Sequence, residues 1–415
     1  MMVEIRKPIP VGEAVERVLA HAVPAGTETV PLEESAGRIL AEPVTASHPV
    51  PPFNRSPYDG FAVRSKDTEG ASGSNRIPFS VIDEIQAGSV SNQTLGERQA
   101  ARIMTGAPLP DGADAIVMFE QTVEDGDTFT IRKPFEPLEN VSLKGEDLAE
   151  GEEVVPAGSY IHAGTVAVLA TFGYAHVKIA RRPVVGILAT GTELVGVGEP
   201  LAPGKIRNSN GPMIAAQLRR MGIECRTYGA QADDLDAVIG TVERALTETD
   251  ALITTGGVSV GDFDYLPAVY EKIGAEVLFN KVAMRPGSVT TVAAGGGKLL
   301  FGLSGNPSSC FTGFELFTRP ALLKMMGADK LFLPHTKAVL GEDFTKPNPF
   351  TRFVRAVYDG NTASPAGFNK SNAVSSIARG NAMIVLPGGT RGFKKGDEVD
   401  VLLLGVEEGS TQWKL

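Results

Sequence analysis

The sequence predicts an α/β protein of several domains: a central doubly wound, mostly parallel sheet, with β-rich N-terminal domains and a small C-terminal β-barrel. Three observations lead there. Over residues 183–326, buried-type apolar runs alternate with amphipathic helical patterns, the rhythm of βαβ units. Residues 49–135 are dominated by prolines, glycines and short alternating strands. After Pro334 short strands and turns return for about 85 residues, enough for a separate small barrel or sandwich.

The elements follow in order. Residues 11–20 (VGEAVERVLA) carry apolar residues at helical spacing. A second short helix is expected over 31–41, with Glu33 and Glu34 in its first turn. Strands are expected at 79–85, 101–103, 115–119 and 128–131, and short apolar runs at 152–155, 166–169 and 177–179. Arg181, Arg182 and Pro183 mark a boundary. The α/β rhythm then gives strands at 184–189, 224–228, 251–255, 276–280, 289–293 and 299–303. Between them fall helices at 212–221, with Asn208, Ser209 and Asn210 as cap candidates, and after Asp233 and Asp234, with Leu235, Val238, Ile239, Val242 and Leu246 on one face. Further helices are expected at 265–273 and about 308–325, and C-terminal strands at 337–340, 351–358, 382–385 and 398–403.

Composition narrows the function classes. The chain has 415 residues, 42% hydrophobic and 21% charged, which describes an ordinary soluble protein of two to four domains. A net charge of −10 argues against a nucleic-acid groove as the main surface. No secretory signal pattern or bilayer-length apolar run is found, so no membrane is expected and cytoplasm is the default. The two cysteines, Cys225 and Cys310, sit in apolar surroundings and suit core burial, and the five histidines never cluster at ligand spacing. A soft metal handled here would need its sulfur from elsewhere.

The residues that could carry chemistry lie at strand ends. LITTGGVSVGDFDY (252–265) runs from a β-forming stretch into Gly256 and Gly257, then Asp262 and Asp264. Paired glycines admit a ligand to bare backbone, and the acids could hold a cation or a hydroxyl, or merely cap the next helix. TGTE (190–193) follows the first α/β strand. SGNP (304–307) follows the last and opens a helix, where free N–H groups can face an anion. Each turn alone also fits an ordinary connection; three on one edge of a sheet point to a site. No P-loop or GxGxxG pattern is present. Lys281 and Arg285, in NKVAMRPG, suit an oxyanion or a solvated basic edge. PPFNRSPYDGFAVR (51–64), IMTGAPLPDGADAIV (103–117) and GEDL (145–148) are either functional loops or the turns of a β domain.

These segments, in this order, resemble the molybdopterin molybdenumtransferases of the MoeA type, related to the E domain of gephyrin. The matching patterns are PPFxxSxxDG[YF]AVR, TGAPxPxGADAxV, the GED turn, TGTEL, TTGGVSVGDxDY and GLSGNPSS, spread from near residue 10 to near residue 405. The resemblance implies a central domain of the molybdopterin-binding type, shared with the adenylyltransferases acting one step earlier, in an elongated homodimer. It implies an N-terminal helix (1–26) packed on the α/β domain (183–326), a linker or dimerisation domain (27–48 with 136–182), a β-rich lobe (49–135) and a C-terminal β-barrel domain (327–415). The implied reaction takes adenylylated molybdopterin and molybdate, releases AMP and inserts molybdenum into the dithiolene, with Mg²⁺ as cofactor. A molybdopterin adenylyltransferase would donate the substrate.

By the same resemblance Asp59, Asp147, Glu193, Asp233 and Asp264 are the catalytic acids, with Glu193 and Asp264 handling Mg²⁺ or substrate. Gly256, Gly257, Ser259, Ser304, Asn306, Pro307 and Ser308 would cradle pterin and phosphate. Lys281 and Arg285 would bind molybdate or the pyrophosphate linkage. Asp59, Thr105 and Asp147 would be reached from the neighbouring subunit. Three departures stand out: SGNP replaces the family's PGNP, PGSV (286–289) replaces PGxP, and Asn54, Arg55, Pro57 and Tyr58 replace the commoner residues of the first motif. They fit a paralogue with an altered oxyanion preference, such as tungstate, or a weakened enzyme, while the retained acids and basic pair favour an active one; a partner-binding scaffold that kept the fold and a pterin-nucleotide hydrolase are the competing readings.

Overall fold

The computed structural model describes residues 7–231, 235–257, 266–345, 347–405 and 412–413. The chain divides into two compact units, one of Pro43–Pro156 with Ala167–Tyr174, the other of Met1–Glu42, Ala157–Val166 and Ala175–Leu415. The stretches expected as one linker domain, 27–48 and 136–182, are therefore shared between them.

The smaller unit is built on a six-stranded sheet in the order Ala115–Met118, Gly60–Val63, Gln99–Ile103, Ile77–Ile85, Thr128–Ile131, Thr122–Asp125. Alternation sets its faces: Ile77 and Phe79 point inward while Pro78 and Ser80 face out. Phe129 stacks on Phe61 at 3.9 Å and on Phe79 at 5.4 Å, filling the core. The strand Gly60–Val63, not expected from sequence, lies second in the sheet. Its first residue must be glycine, since a Cβ there would sit 2.2 Å from the Val117 carbonyl oxygen.

The larger unit holds the α/β sheet, ordered Cys225–Gln231, Val185–Thr190, Ala251–Thr255, Lys298–Leu303, Thr291–Gly295, Glu276–Phe279. The first four strands are parallel, as expected. Thr291–Gly295 runs antiparallel to both its neighbours, so the sheet is mixed. The cause is local: Gly296 and Gly297, both at positive φ (58° and 75°), make a two-residue hairpin between Gly295 and Lys298. So short a loop cannot make a parallel crossover.

Side-chain alternation packs both faces of this sheet. Ile187, Ile253 and Phe301 join one core with Ile214, Leu218, Phe314 and Phe317, while Leu188, Leu252 and Leu300 join another with Val238, Val242 and Val269. The helix Val11–Ala20 buries Val11, Ala14, Val15 and Val18 in the first of these cores. It is pinned where Arg17 donates to the Leu278 carbonyl (2.7 Å) and Lys324 to that of Leu19 (2.8 Å).

Three expectations about local elements need correction. Residues 31–41 are not a helix: Thr27–Pro31 is a strand paired with His176–Ala180, a single 3₁₀ turn covers Leu32–Glu34, and Ile39 and Leu40 make isolated bridges. The Glu33–Glu34 pair suits a helix start, but too little apolar periodicity follows to sustain one. The long final helix is interrupted: Pro307–Gly313 and Arg319–Met325 flank a π-helical stretch, Phe314–Thr318. Pro320 has no N–H to give the Leu316 carbonyl, and the helix widens there. Within 151–180, Ala163–Thr171 is a helix rather than a bare apolar run.

The C-terminal region closes a five-stranded barrel. Its order is Thr351–Tyr358, Thr362–Pro365, His335–Leu340, Glu398–Leu403, Ala382–Leu386, and back to Thr351–Tyr358. Leu340, Val354, Ile384, Leu386 and Val401 fill it. Cys310 is buried, as expected, and burial pushes its thiol pKa up; Cys225 is half-buried. Among the described residues no helix is long and apolar enough to cross a membrane.

Candidate functional site

The spatial order of the α/β sheet fixes where a ligand can enter. The chain leaves Val185–Thr190 toward Cys225–Gln231 on one side, then crosses to Ala251–Thr255 on the other. Adjacent connections that diverge this way open a crevice at the carboxyl ends of the two strands. The turns singled out in the sequence converge there. A Cβ on Gly256 would lie 2.4 Å from the Thr190 carbonyl oxygen, and one on Gly305 would lie 3.7 Å from the Gly256 Cα. The Thr190 and Gly256 turns meet so closely that only glycine fits at 256, and the Gly305 turn lies at ordinary contact distance beside them.

The donors of these turns are divided unequally. The Gly256 N–H already bonds the Leu303 carbonyl (3.1 Å), so Gly256 supplies shape rather than a hydrogen bond. Asn210 donates from Nδ2 to the Gly305 carbonyl (2.8 Å), and its buried Oδ1 finds no partner among the described residues. Asn210 was expected only as a helix cap. The capping is done by Asn208, whose Oδ1 accepts the Gly211 N–H at 3.0 Å, leaving Asn210 to brace the crevice. The signal was a second Asn in NSNG beyond the one a cap requires.

Glu193 is exposed, on the turn after Val185–Thr190. Its carboxylate folds over Gly191, where a Cβ would lie 2.5 Å from Oε2. Asn306 is exposed and Pro307 half-buried at the start of the following helix, where Asn306 makes no side-chain cap bond. Ser304 is buried, and its Oγ accepts the Asn306 N–H (3.3 Å), so this hydroxyl shapes its own turn. Ser308 departs from expectation. It is fully buried, its hydroxyl donates to the Ala373 carbonyl (2.7 Å) and its N–H to that of Ser371 (3.0 Å). With both donors committed, Ser308 ties the helix to the barrel.

Lys281 and Arg285 stand on the segment that joins the sheet to the barrel. Met284–Arg285 pairs with Thr351–Arg352. The loop then turns at Gly287 (φ 93°), where a Cβ would meet Ser309 O at 3.4 Å, so it packs on the helix that follows SGNP. Arg285 is exposed and Lys281 half-buried, and neither makes an ion pair among the described residues. Asp233, Ser259 and Asp264 lie outside the described residues.

A second cluster forms in the smaller unit. Asp59 Oδ1 accepts both the Thr105 N–H (2.7 Å) and the Thr105 hydroxyl (2.8 Å). These two bonds hold the Asp59 carboxyl below its ordinary pKa of 3.8, the backbone bond contributing most. Segment 50–56 links both to the GED turn: Arg55 bridges Pro108 on one side and Ser142 on the other, and Val50 bridges Leu148. Within that turn Glu146 is consumed locally, accepting from the Ser142 hydroxyl and the Leu143 N–H, which hold its carboxyl below the ordinary range. Asp147 is exposed, and its carboxylate has no partner among the described residues. The geometry therefore separates two adjacent acids that sequence could not.

Comparison with known proteins follows this geometry closely. The MoeA N-terminal region (domain I and II) matches residues 9–173, a probable molybdopterin binding domain matches 186–324, and the MoeA C-terminal region (domain IV) matches 337–404. The chain is 58% identical over 407 residues, 97% of each chain, to the molybdopterin molybdenumtransferases of Staphylococcus aureus (strain MRSA252) and Staphylococcus epidermidis (strain ATCC 12228). The crystal structure of the molybdopterin biosynthesis moeA protein from Pyrococcus horikoshii OT3 superposes with a TM-score of 0.84 at 31% identity, covering 96% of this chain and 100% of that one.

Proposed function

The chain belongs to the MoeA family, the molybdopterin molybdenumtransferases of molybdenum cofactor biosynthesis, and on that premise we propose that it takes adenylylated molybdopterin and molybdate, releases AMP and leaves molybdenum on the dithiolene. The observation that carries this reading is the contact of the Thr190, Gly256 and Gly305 turns at the switch point of the sheet. A flat pterin with a phosphate tail needs bare backbone at such a crevice, and side chains there would exclude it.

The residues divide the work by chemistry. Gly256, Gly257 and Asn306 receive the pterin and its phosphate. Ser304 and Pro307 set the turn that presents Asn306, while Asn210 and Ser308 brace it from behind. Lys281 and Arg285, which make no ion pair among the described residues, bring positive charge to molybdate or to the pyrophosphate linkage. Asp59, held ionised by Thr105, and Asp147 act on the substrate from the neighbouring subunit of a homodimer. Asp233 and Asp264 complete the acid set.

Magnesium suits the oxygen-only chemistry of this edge. Among the described residues no three His, Cys, Asp or Glu side chains are grouped to hold a metal. Mg²⁺ would rest on Glu193 and Asp264 and fill its shell with waters and substrate phosphate, as this ion usually does. When bound it would offset the charge of the phosphates.

The experiment incubates the purified protein with adenylylated molybdopterin, molybdate and Mg²⁺. The reading expects stoichiometric AMP release together with molybdenum-loaded cofactor. AMP release without bound molybdenum would make the protein a hydrolase. Failure to bind the nucleotide would make it a scaffold on the same fold. Repeating the assay with tungstate decides which oxyanion is preferred. A cytoplasmic enzyme supplied by a molybdopterin adenylyltransferase is the setting this chemistry requires.

A further inference from the structure

Five arginines line one cavity of about 180 Å³ in the larger unit: Arg38, Arg182, Arg219, Arg220 and Arg319, with Tyr160 beside them. Two carboxylates answer them. Glu28 pairs with Arg38, and buried Glu315 meets Arg220 at 3.0 Å and Arg319 at 3.9 Å. Arg182 and Arg219 have no carboxylate partner among the described residues, which leaves an excess of positive charge in a partly dehydrated space. Like charges drawn together out of water are costly unless an anion joins them.

The arrangement is held in place by the fold. Arg182 donates to the Gly37 carbonyl at 2.6 Å. Its guanidinium lies on Gly222, where a Cβ would come within 2.4 Å of Cζ, so a glycine is kept where any side chain would push the arginine away. Burial and the nearby Arg38 lower the pKa of Arg182 by more than Tyr160 and Glu28 raise it, so its charge is only partly answered. The Arg38 Nε is buried and has no hydrogen-bond partner among the described residues. Ile39, Leu323 and Met326 close the floor.

This cavity is separate from the crevice described above. Asn210 touches the crevice, and Arg219 and Arg220 end the helix Asn210–Arg220 that begins there, about 16 Å away at 1.5 Å per residue. Arg182 precedes the strand Val185–Thr190 whose far end carries the Thr190 turn. The cavity thus lies at the amino edge of the parallel strands and the crevice at the carboxyl edge. At about 180 Å³ it is smaller than the ~300 Å³ at which pockets for drug-sized organic ligands begin.

We propose that this arginine cavity is a second anion site, which binds one tetrahedral oxyanion dianion of the phosphate, sulfate or molybdate class. Guanidinium groups offer paired N–H donors that match such oxygens, and several converging from different elements give a site that lysines would not. The inference stands whether or not the reaction proposed above is correct.

Calorimetric titration of the full chain at low salt tests it, with inorganic phosphate, sulfate and molybdate in separate runs. For at least one of them a saturable site is expected that persists in Arg285→Gln and is therefore distinct from the crevice. Its affinity should fall at least tenfold in Arg182→Gln and in Arg219→Gln, and stay within twofold in Arg285→Gln. Arg219 is exposed, so its variant should melt with the wild type and keeps the test valid if Arg182→Gln folds poorly. The same anion should raise the melting temperature of the wild type and not that of Arg219→Gln. Absence of a saturable site, or equal binding by the wild type and Arg219→Gln, overturns the proposal. Loss of phosphate binding in Arg285→Gln alone would assign the anion to the crevice and overturn it as well. Which of the three anions binds tells an oxyanion substrate store from a phosphate site.

Discussion

Asp59 shows how a single contact prepares an acid. Two Thr105 donors end on one carboxylate oxygen, so the ionised form is favoured and the folded-state pKa is depressed. The stabilisation of the ionised form is therefore fully present above pH 3.8, and it is lost only as pH falls through the depressed value. Thr105→Ala keeps the N–H bond and removes the hydroxyl. A carbonyl-carbon NMR titration should show the Asp59 pKa moving up toward 3.8, with kcat falling at least about tenfold, the range of a lost positioned proton-handling group. An unmoved pKa would show that the hydroxyl does not matter. Arg285→Ala should raise the KM for molybdate about tenfold, ~1.4 kcal/mol, with a smaller effect on the nucleotide substrate; equal losses would remove Arg285 from the oxyanion. At this scale the sequence showed which motifs hold polar groups at turns, and the structure adds that Asp59 and Thr105 are bonded to each other. It was not legible where burial decides. Ser308 and Asn306 read alike in SGNPSS, yet Asn306 is exposed and Ser308 spends both donors on barrel carbonyls.

Among elements, the glycine turns bind architecture to chemistry. Gly256 sits at φ 90° against the Thr190 carbonyl, so Gly256→Ala suffers both a conformational penalty and a clash. We expect about 3 kcal/mol of lost stability in urea unfolding, from left-handed strain plus displacement of the Thr190 turn, together with loss of turnover. A stable, active variant would show that the turns need not touch. In the π-helical stretch, Glu315 is buried between Arg220 and Arg319 and accepts the Gln217 side-chain amide at 2.9 Å. Glu315→Leu should cost about 3–5 kcal/mol, because Arg220 and Arg319 both lose the carboxylate they share. Most strands and the amphipathic helices were legible because burial alternates with period 2 or 3.6. Three features were not. The one reversed strand, Thr291–Gly295, hung on the Gly296–Gly297 hairpin, a signal visible in the glycine run of 295–297 but outweighed by the βα rhythm before it. The helix expected at 31–41 lost to strand pairing with His176–Ala180, a partner far away in sequence. The π-helical widening required knowing that Pro320 falls inside a continuous helix rather than at its start.

For the whole molecule, the proposed function requires groups from two chains. If Asp59 serves the partner's crevice, then Asp59→Ala and Asp264→Ala are each inactive alone but complement when mixed and reassociated. One site in each mixed dimer is then intact, so an equal mixture should recover about a quarter of wild-type activity. No recovery, despite subunit exchange shown by mass spectrometry, would place all the acids of one site in one chain. Stability of the larger unit rests partly on Arg181 and Asp250, which pair through two bonds of 2.9 and 2.8 Å at the amino edge of the sheet. Burial tends to raise the Asp250 carboxyl, but the bonds from Arg181 and from the Val184 N–H outweigh it and hold it below 3.8. That stability is present above pH 3.8 and is lost as pH falls through the depressed value. Asp250→Asn should cost about 1.5–3 kcal/mol at neutral pH, and the wild type and variant should converge in stability at strongly acidic pH.

The most direct test of the central claim is a crystal structure of the protein soaked with adenylylated molybdopterin and molybdate. The pterin and its phosphate should lie against Gly256, Gly257 and Asn306, with the oxyanion within bonding reach of Lys281 or Arg285. Full occupancy of the substrate at any other surface, with that edge of the sheet empty in an active crystal, would contradict it.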